Sequence, residues 1–155
     1  MHSNIEQLYK IANKPSRKVI GLMSGTSMDG LDIALCDITG AGNETHLTLL
    51  AHTTIPYDTF TKEQILSVFS KDTISLEQLC LIHPWLGLQH ATMITNALKT
   101  WGVAAHEIDL IASHGQTIFH APKSLHPLDV FGSATLQIGD ADHIAVSTGI
   151  ITISD

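Results

Sequence analysis

The chain has 155 residues, enough for one domain with a single hydrophobic core. Hydrophobic residues make up 44% of it and charged residues 15%, a composition that excludes an intrinsically disordered protein. The net charge of −7 argues against nucleic acid and anionic membranes as partners. No run approaches the length of a membrane span, and the N-terminus lacks the apolar core of a secretory signal, so the sequence predicts a cytoplasmic protein.

Residues 1–18 are polar, although Ile5, Leu8 and Ile11 have helical spacing before Pro15. We predict a poorly ordered N-terminal extension here, with a turn or two of helix at most. The folded part of the chain is predicted to begin after this extension.

The segment 19–32 reads VIGLMSGTSMDGLD and predicts a strand, a small polar turn and a second strand. Gly25 and Gly30 let a ligand approach the backbone, and the amides and hydroxyls of the turn favour an anion. Asp29 and Asp32 are suited to orient a hydrated Mg²⁺. A plain hairpin turn explains the same composition, and on composition alone it is the favoured interpretation. The segment is not a P-loop, because Lys and Ser or Thr do not follow Gly30.

Residues 45–56 predict a third strand, which completes an antiparallel meander. Two helices follow, with predicted capping boxes that begin at Thr61 and Ser75. The second helix is predicted to run to Trp101, and Pro84 is expected to kink it or split it.

A short apolar strand is predicted over residues 108–112, followed by a polar stretch over residues 113–117. Because ligands of open α/β sheets bind at the carboxyl ends of strands, this stretch is well placed for a substrate contact. The remaining predicted elements are a strand over 135–138, a helix over 141–148 capped by Asp140 and Gly149, and a strand from residue 150.

His114 and Gln116 are the candidate ligand-binding side chains of the stretch 113–117. A histidine beside a glycine is suited to hydrogen-bond a sugar hydroxyl, and the Gln116 amide offers both a donor and an acceptor. A structural histidine bonded to backbone is an equally good interpretation. The carboxylate of Asp140 either caps the helix or faces the ligand, and the cap is favoured. The histidines match no known metal-ligand spacing, so no protein metal site is predicted.

Four motifs resemble those of the anhydro-N-acetylmuramic acid kinases and occur in the same order. They are GLMSGTSMDGLD at 21–32, ASHGQTIFH at 112–120, TLQIGDA at 135–141, and TGI with a final SD within 148–155. The resemblance implies an α/β fold, the ribonuclease-H-like N-terminal lobe of the actin/hexokinase/Hsp70-type ATPases. In that lobe an antiparallel three-strand opening is followed by helices and further strands.

Members of this family use ATP and water to open the ring of 1,6-anhydro-N-acetylmuramic acid and to phosphorylate the freed O6, in the recycling of cell-wall sugar. The resemblance therefore implies ATP and Mg²⁺ as cofactors and a small sugar as substrate. By motif, the ATP phosphates face Gly25, Thr26, Ser27, Met28, Asp29, Gly30, Leu31 and Asp32. His114 and Gln116 are the residues that the resemblance places toward the sugar.

In the family, the general base is an aspartate that lies, by motif, a few residues beyond Asp155, and a second domain follows it. The resemblance therefore assigns no catalytic residue to the lobe, residues 19–155, and implies that the lobe alone is inactive. An exposed sheet edge favours association, so a homodimer is among the expected partners. Two alternatives stay open: a non-catalytic lobe that binds sugar or phosphate, and a metal-dependent nuclease built on Asp29, Asp32 and Asp140, which the negative charge disfavours.

Overall fold

A six-stranded mixed sheet forms the centre of the computed structural model, which describes residues 3–154. Three antiparallel strands form the predicted meander, and the first of them also pairs in parallel with the fourth strand. The elements are α1 (Ser3–Ala12), β1 (Ser16–Ser24), β2 (Gly30–Thr39), β3 (His46–Pro56), α2 (Thr59–Val68), α3 (Leu76–Trp101), β4 (Leu110–Ala121), β5 (Ala134–Ile138), α4 (Ala141–Thr148) and β6 (Thr152–Ser154).

The strand order is β3-β2-β1-β4-β5, and β6 lies parallel to the first part of β4. The carboxyl ends of β1 and β6 therefore meet the middle of β4 at one edge of the sheet. This is the edge at which open α/β sheets bind their ligands.

The hydrophobic core lies between one face of the sheet and the helices α2, α3 and α4, of which α3 is the longest. Because side chains alternate along a strand, Ile20 and Leu22 of β1 and Leu31 and Ile33 of β2 point to this face. The buried side of α3 is made by residues spaced three or four apart. They are Ile82, Leu86, His90, Ile94 and Ala97.

The N-terminal segment is more ordered than the sequence predicts. The helix α1 has ten residues and a buried Ile11, and the Arg17 guanidinium donates hydrogen bonds to the carbonyls of Ile11 and Ala12 at its end. The backbone N–H of Lys18 donates to the Asp109 carboxylate. The expectation of a poorly ordered extension is therefore wrong, because these contacts attach the segment to the sheet. The domain boundary after Lys18 stays a prediction.

The two predicted helix starts have different outcomes. The helix α2 begins after Asp58, whose carboxylate accepts a hydrogen bond from the Thr61 N–H at 2.7 Å, so the predicted cap at Thr61 is wrong. The predicted ends of α3, Ser75 and Gly102, are confirmed, and the helix continues through Pro84 without being split. No helix among residues 3–154 is long and apolar enough to cross a membrane.

The strand β4 is much longer than predicted, because it continues through the polar stretch 113–117. Gly115 has a left-handed φ of +74°, and the register with β1 shifts there, so that Leu22 pairs with Ser113 but Ser24 pairs with Gln116. This bulge re-aims β4 toward its antiparallel partner β5. The prediction that the stretch follows the strand is wrong, although the stretch does lie at the carboxyl end of β1.

Candidate functional site

The polar turn between β1 and β2 lies at the carboxyl end of β1, the end at which open α/β sheets bind their ligands. The Met28 N–H donates to the Gly25 carbonyl at 3.3 Å, and Met28 has a φ of +54°, which is uncommon outside glycine. The Met28 side chain packs against the core, whereas Thr26, Ser27 and Asp29 are exposed. The turn therefore presents hydroxyls and a carboxylate to solvent while Met28 anchors it.

The second end of the turn is held by close backbone contacts. The Tyr57 N–H donates to the Asp29 carbonyl at 3.0 Å, just beyond the end of β3. At Gly30, a Cβ atom would lie 2.2 Å from the Ile55 carbonyl oxygen, so only glycine fits this approach of β2 to β3.

The side chain of Gln116 is fully buried behind the turn. Its Nε2 donates to the carbonyls of Gly25 at 2.8 Å and Thr117 at 2.9 Å, and its Oε1 accepts from the Ser24 hydroxyl at 2.6 Å. The sequence predicts that Gln116 faces the sugar. That contact stays a prediction; in the structure its amide lies against the turn 25–29 and hydrogen-bonds Ser24, Gly25 and Thr117.

Tyr57 and His90 extend this buried polar network, and the sequence gives neither a role. The Tyr57 hydroxyl lies 2.8 Å from Ser24 Oγ and 2.7 Å from His90 Nε2. Burial lowers the pKa of His90 to about 4. Burial also raises the pKa of Tyr57, to about 12, and its hydrogen bond to Ser24 opposes this rise only in part. Both side chains are therefore neutral at pH 7. The sequence does contain a sign that His90 is unusual. It lies at helical spacing among the apolar residues on the buried side of α3, which include Ile82, Leu86 and Ile94.

A polar cavity of about 270 Å³ lies at the same edge, where β4 bends. Gly115 and Gly139, both with positive φ, bring the backbone to its wall, and the Gly139 N–H donates to His83 Nδ1 at 3.2 Å. The polar side chains that line it are His83, His114, Gln137, Asp140, Asp142 and Ser154. Imidazoles, an amide, a hydroxyl and carboxylates together supply the donors and acceptors that a polyhydroxylated ligand needs.

His114 lies where this polar cavity meets a second, mostly apolar hollow of about 510 Å³. The hollow covers the face of the sheet opposite α3, and its floor includes the small residues Gly21, Ala34 and Ala112. The side chain of His114 is half-buried. His114 lines both of these spaces, and its contact with a sugar stays a prediction.

The two aspartates of the turn differ in their surroundings. Asp29 and Asp32 are both exposed, and the Asp32 carboxylate accepts a hydrogen bond from the Thr54 hydroxyl. The Leu31 side chain is fully buried, so only its backbone can face a nucleotide. Within residues 3–154, no group of three or more His, Cys, Asp or Glu side chains is arranged to hold a metal ion, so the nuclease-type cluster of Asp29, Asp32 and Asp140 is not formed there.

We expect Asp140→Ala to lower the free energy of unfolding by about 1 kcal/mol, because Asp140 N-caps α4 as predicted. Its carboxylate accepts from the Asp142 N–H at 2.9 Å and hydrogen-bonds His143 Nδ1 at 3.0 Å. Burial raises the pKa of Asp140, but these hydrogen bonds outweigh it and leave the pKa below its usual value. The stabilisation is therefore present above about pH 4 and is lost as the pH falls further.

Urea denaturation at pH 7 and pH 3 measures this contribution. The matched variant is Asp140→Asn, because asparagine caps a helix about as well as aspartate. An equal loss of stability in the alanine and asparagine variants would contradict the capping role.

The family model for anhydro-N-acetylmuramic acid kinase matches residues 17–155. The chain belongs to the anhydro-N-acetylmuramic acid kinase family. It is 55% identical over 155 residues to the anhydro-N-acetylmuramic acid kinase of Pseudoalteromonas atlantica and 54% identical over 155 residues to that of Pseudoalteromonas translucida. It is 39% identical over 151 residues to the kinase of the same name from Caldanaerobacter subterraneus.

These matches cover 100%, 100% and 97% of the chain, which spans only 39%, 39% and 38% of the length of those three kinases. Membership of the anhydro-N-acetylmuramic acid kinase family, together with the mixed six-stranded sheet, confirms the predicted α/β lobe. Among solved structures, a CasPhi-2 (Cas12j) complex with crRNA and phosphorothioate DNA overlaps 92% of this chain and 24% of its own at 12% identity. The TM-score of 0.23 is too low to indicate a common fold.

Proposed function

We propose that the protein is an ATP-dependent kinase of 1,6-anhydro-N-acetylmuramic acid, and that the described residues form its phosphate turn and part of its sugar site. The observation that carries this proposal is the turn 25–29, which presents hydroxyls and a carboxylate to solvent at the carboxyl end of β1. Its backbone is held by hydrogen bonds from the Gln116 side chain to Gly25 and from the Tyr57 N–H to Asp29. Membership of the kinase family supports the same assignment.

The phosphates of ATP bind, in this proposal, to backbone amides and to the hydroxyls of Thr26 and Ser27. The only arginine of the chain, Arg17, hydrogen-bonds the end of α1 and lies in the part of β1 remote from the turn. Mg²⁺ balances the charge of the phosphates in this proposal, with Asp29 and Asp32 holding its hydration shell. The backbone of Gly30 and Leu31 completes the segment.

The sugar occupies the polar cavity, with His114 and Asp140 as hydrogen-bonding partners of its hydroxyls. The substrate of the proposed reaction has hydroxyls and an internal ether bridge, which suits a wall of imidazoles and carboxylates better than the apolar hollow beside it. Water opens that bridge, and the freed O6 takes the γ-phosphoryl group while ADP leaves.

The test is a titration of the ¹⁵N-labelled chain with Mg·ATP, followed through backbone amide chemical shifts. We expect the largest shifts within residues 25–32 and an affinity about tenfold weaker in Asp29→Ala, equal to about 1.4 kcal/mol. The matched control is Asp72→Ala, which removes an exposed carboxylate between α2 and α3. Shifts confined to other surfaces, or equal affinities for the Asp29 and Asp72 variants, would overturn the phosphate assignment.

A second assay measures ADP release from ATP, Mg²⁺ and 1,6-anhydro-N-acetylmuramic acid. Because the resemblance places the general base beyond residue 155, we expect no turnover by residues 1–155 alone, with Mg·ATP still bound. Turnover that disappears in Asp29→Ala would show that a residue within the chain acts as the base, and His114 and Asp140 would then be the first candidates.

A further inference from the structure

Four buried side chains form a continuous row of hydrogen bonds that ends on the phosphate turn. His90 Nε2 lies 2.7 Å from the Tyr57 hydroxyl, which lies 2.8 Å from Ser24 Oγ. Ser24 Oγ lies 2.6 Å from Gln116 Oε1, and Gln116 Nε2 lies 2.8 Å from the Gly25 carbonyl oxygen. We call these four residues the loop relay. All four are at least 95% buried.

The direction of every hydrogen bond in the loop relay follows from its Gln116 end. Gln116 Nε2 meets two carbonyl oxygens, those of Gly25 and Thr117, so it must be the amide donor and Oε1 must be an acceptor. The single hydroxyl proton of Ser24 therefore points to Oε1, since two oxygens 2.6 Å apart need a proton between them. The Gly30 carbonyl, at 3.2 Å from Ser24 Oγ, is the weaker alternative acceptor.

The same reasoning continues to the other end. Because the Ser24 hydroxyl donates to Gln116, its oxygen accepts from the Tyr57 hydroxyl, and the Tyr57 oxygen in turn accepts from His90. His90 must then carry a proton on Nε2, and because burial lowers its pKa to about 4, it carries none on Nδ1 at pH 7. The loop relay thus has one proton arrangement, which runs from His90 to the turn.

The Gly25 carbonyl at the end of the loop relay fixes the orientation of a whole peptide unit. No cis peptide bond occurs among the described residues, so the N–H of Thr26 points opposite to the Gly25 carbonyl. Because that carbonyl points inward to Gln116, the Thr26 N–H points to the exposed side of the turn. Rotation of this peptide would turn an oxygen toward the phosphate in place of a donor.

We propose that His90, Tyr57, Ser24 and Gln116 are positioning residues, which hold the Gly25–Thr26 peptide with its N–H directed toward the ATP phosphates. The inference rests on the proposed function for the identity of the ligand. It assigns a role to four residues that do not themselves contact the nucleotide, and it explains why a polar row crosses an otherwise apolar core. An apolar row of equal volume would fill the same space, but the Gly25 carbonyl would then keep only the longer hydrogen bond from the Met28 N–H, at 3.3 Å.

The test begins on the ligand-free ¹⁵N-labelled chain, where imidazole ¹⁵N shifts report the tautomer of His90 and the backbone amide of Thr26 reports the turn. We expect the Nε2–H tautomer. Tyr57→Phe interrupts the loop relay at its centre without a change of ring, and should shift the Thr26 amide although residue 57 is remote in sequence. The matched control is Tyr9→Phe, which removes the hydroxyl of an exposed tyrosine on α1.

Mg·ATP affinity and the thermal unfolding midpoint are then measured for the same proteins. We expect affinity about threefold weaker in Tyr57→Phe and more than tenfold weaker in Gln116→Leu, which removes the donor to Gly25 itself, with Tyr9→Phe unchanged. If Gln116→Leu does not fold, Tyr57→Phe alone still decides the question. A merely structural role would lower the unfolding midpoint while the Thr26 amide and the affinity stay as in the wild type.

Three outcomes separate the two proposals. An Nδ1–H tautomer at His90 would overturn the loop relay, because it reverses the proton order. An unchanged Thr26 amide in both variants would also overturn it. Failure of the wild-type chain to bind Mg·ATP, with the tautomer and the Thr26 shifts as expected, would overturn the proposed phosphate function and leave the positioning of the turn supported.

Discussion

Replacing Gly30 with alanine is expected to destabilise the chain by about 3 kcal/mol or more, enough to unfold much of it at 37 °C. The added Cβ would lie 2.2 Å from the Ile55 carbonyl oxygen and 2.8 Å from both the Ile55 carbonyl carbon and the Pro56 Cα. All three are backbone atoms of β3, so no side-chain rotation relieves the clash. The pairing of β2 with β3 must separate at the turn instead.

Gly25→Ala is the matched control, because it adds the same methyl group five residues away in the same turn. Its Cβ would meet only the flexible end of Met23, at 3.6 and 3.8 Å, which are ordinary contact distances. We expect Gly25→Ala to stay within about 1 kcal/mol of the wild type. Urea denaturation followed by circular dichroism measures both variants. Similar midpoints for the two would show that the backbone at Gly30 is not packed as the structure has it.

The elements that the sequence predicts well are those whose signals are local. Ser75 and Gly102 bound α3, and Asp140 and Gly149 bound α4, as expected from the hydrogen bonds that each cap makes within one helical turn. The start of α2 was missed because two cap signals compete there. Asp58 precedes Thr61, and its carboxylate takes the Thr61 N–H.

The length of β4 could not be predicted, because it depends on pairing partners far along the chain. The stretch 113–117 is polar and contains a glycine, which is typical of a loop. Pairing with β1 and then with β5 keeps it extended, and the bulge at Gly115 absorbs the change of partner. The turn between β1 and β2 was nevertheless predicted, since it depends only on the sequence of that short segment.

The loop relay could not be predicted for the same reason. Ser24 and Gln116 are 92 residues apart, and Tyr57 and His90 are 33 apart. No pattern within one segment indicates such contacts. The burial of Gln116 could not be predicted either. A glutamine amide can hydrogen-bond a sugar or a backbone carbonyl equally well, and only the folded structure shows that its neighbours include the carbonyls of Gly25 and Thr117. The sequence therefore predicts which segments form the candidate site, but it does not predict the buried hydrogen bonds that hold them.

Lowering the pH from 7 to 4 is expected to reduce the contribution of His90 to the free energy of unfolding by about 3 kcal/mol. His90 is fully buried, its ring stacks on Tyr57 at a centroid distance of 6.1 Å, and its pKa is lowered by burial from 6.5 to about 4. Its Nδ1 is buried without a hydrogen-bond partner among the described residues. Protonation of the folded chain would therefore place a charge and an unmatched donor in the core.

The sign of the effect follows from which state binds the proton more readily. Between about pH 4 and pH 6.5 the unfolded chain has His90 protonated while the folded chain keeps it neutral. Protons therefore favour the unfolded chain in this range, and stability falls as the pH falls. Above about pH 6.5 the full contribution is present, and below about pH 4 this residue causes no further loss.

The measurement is the free energy of unfolding as a function of pH for the wild type and for His90→Gln, which keeps an amide donor for Tyr57 but does not titrate. Because the other titrating groups are common to both proteins, the difference between the two curves isolates His90. We expect the wild type to be the more stable at pH 7, with its advantage shrinking by about 3 kcal/mol by pH 4. His52→Gln, in the exposed strand β3, controls for the loss of one imidazole. A difference that stays constant with pH would mean that His90 is not held neutral in the core.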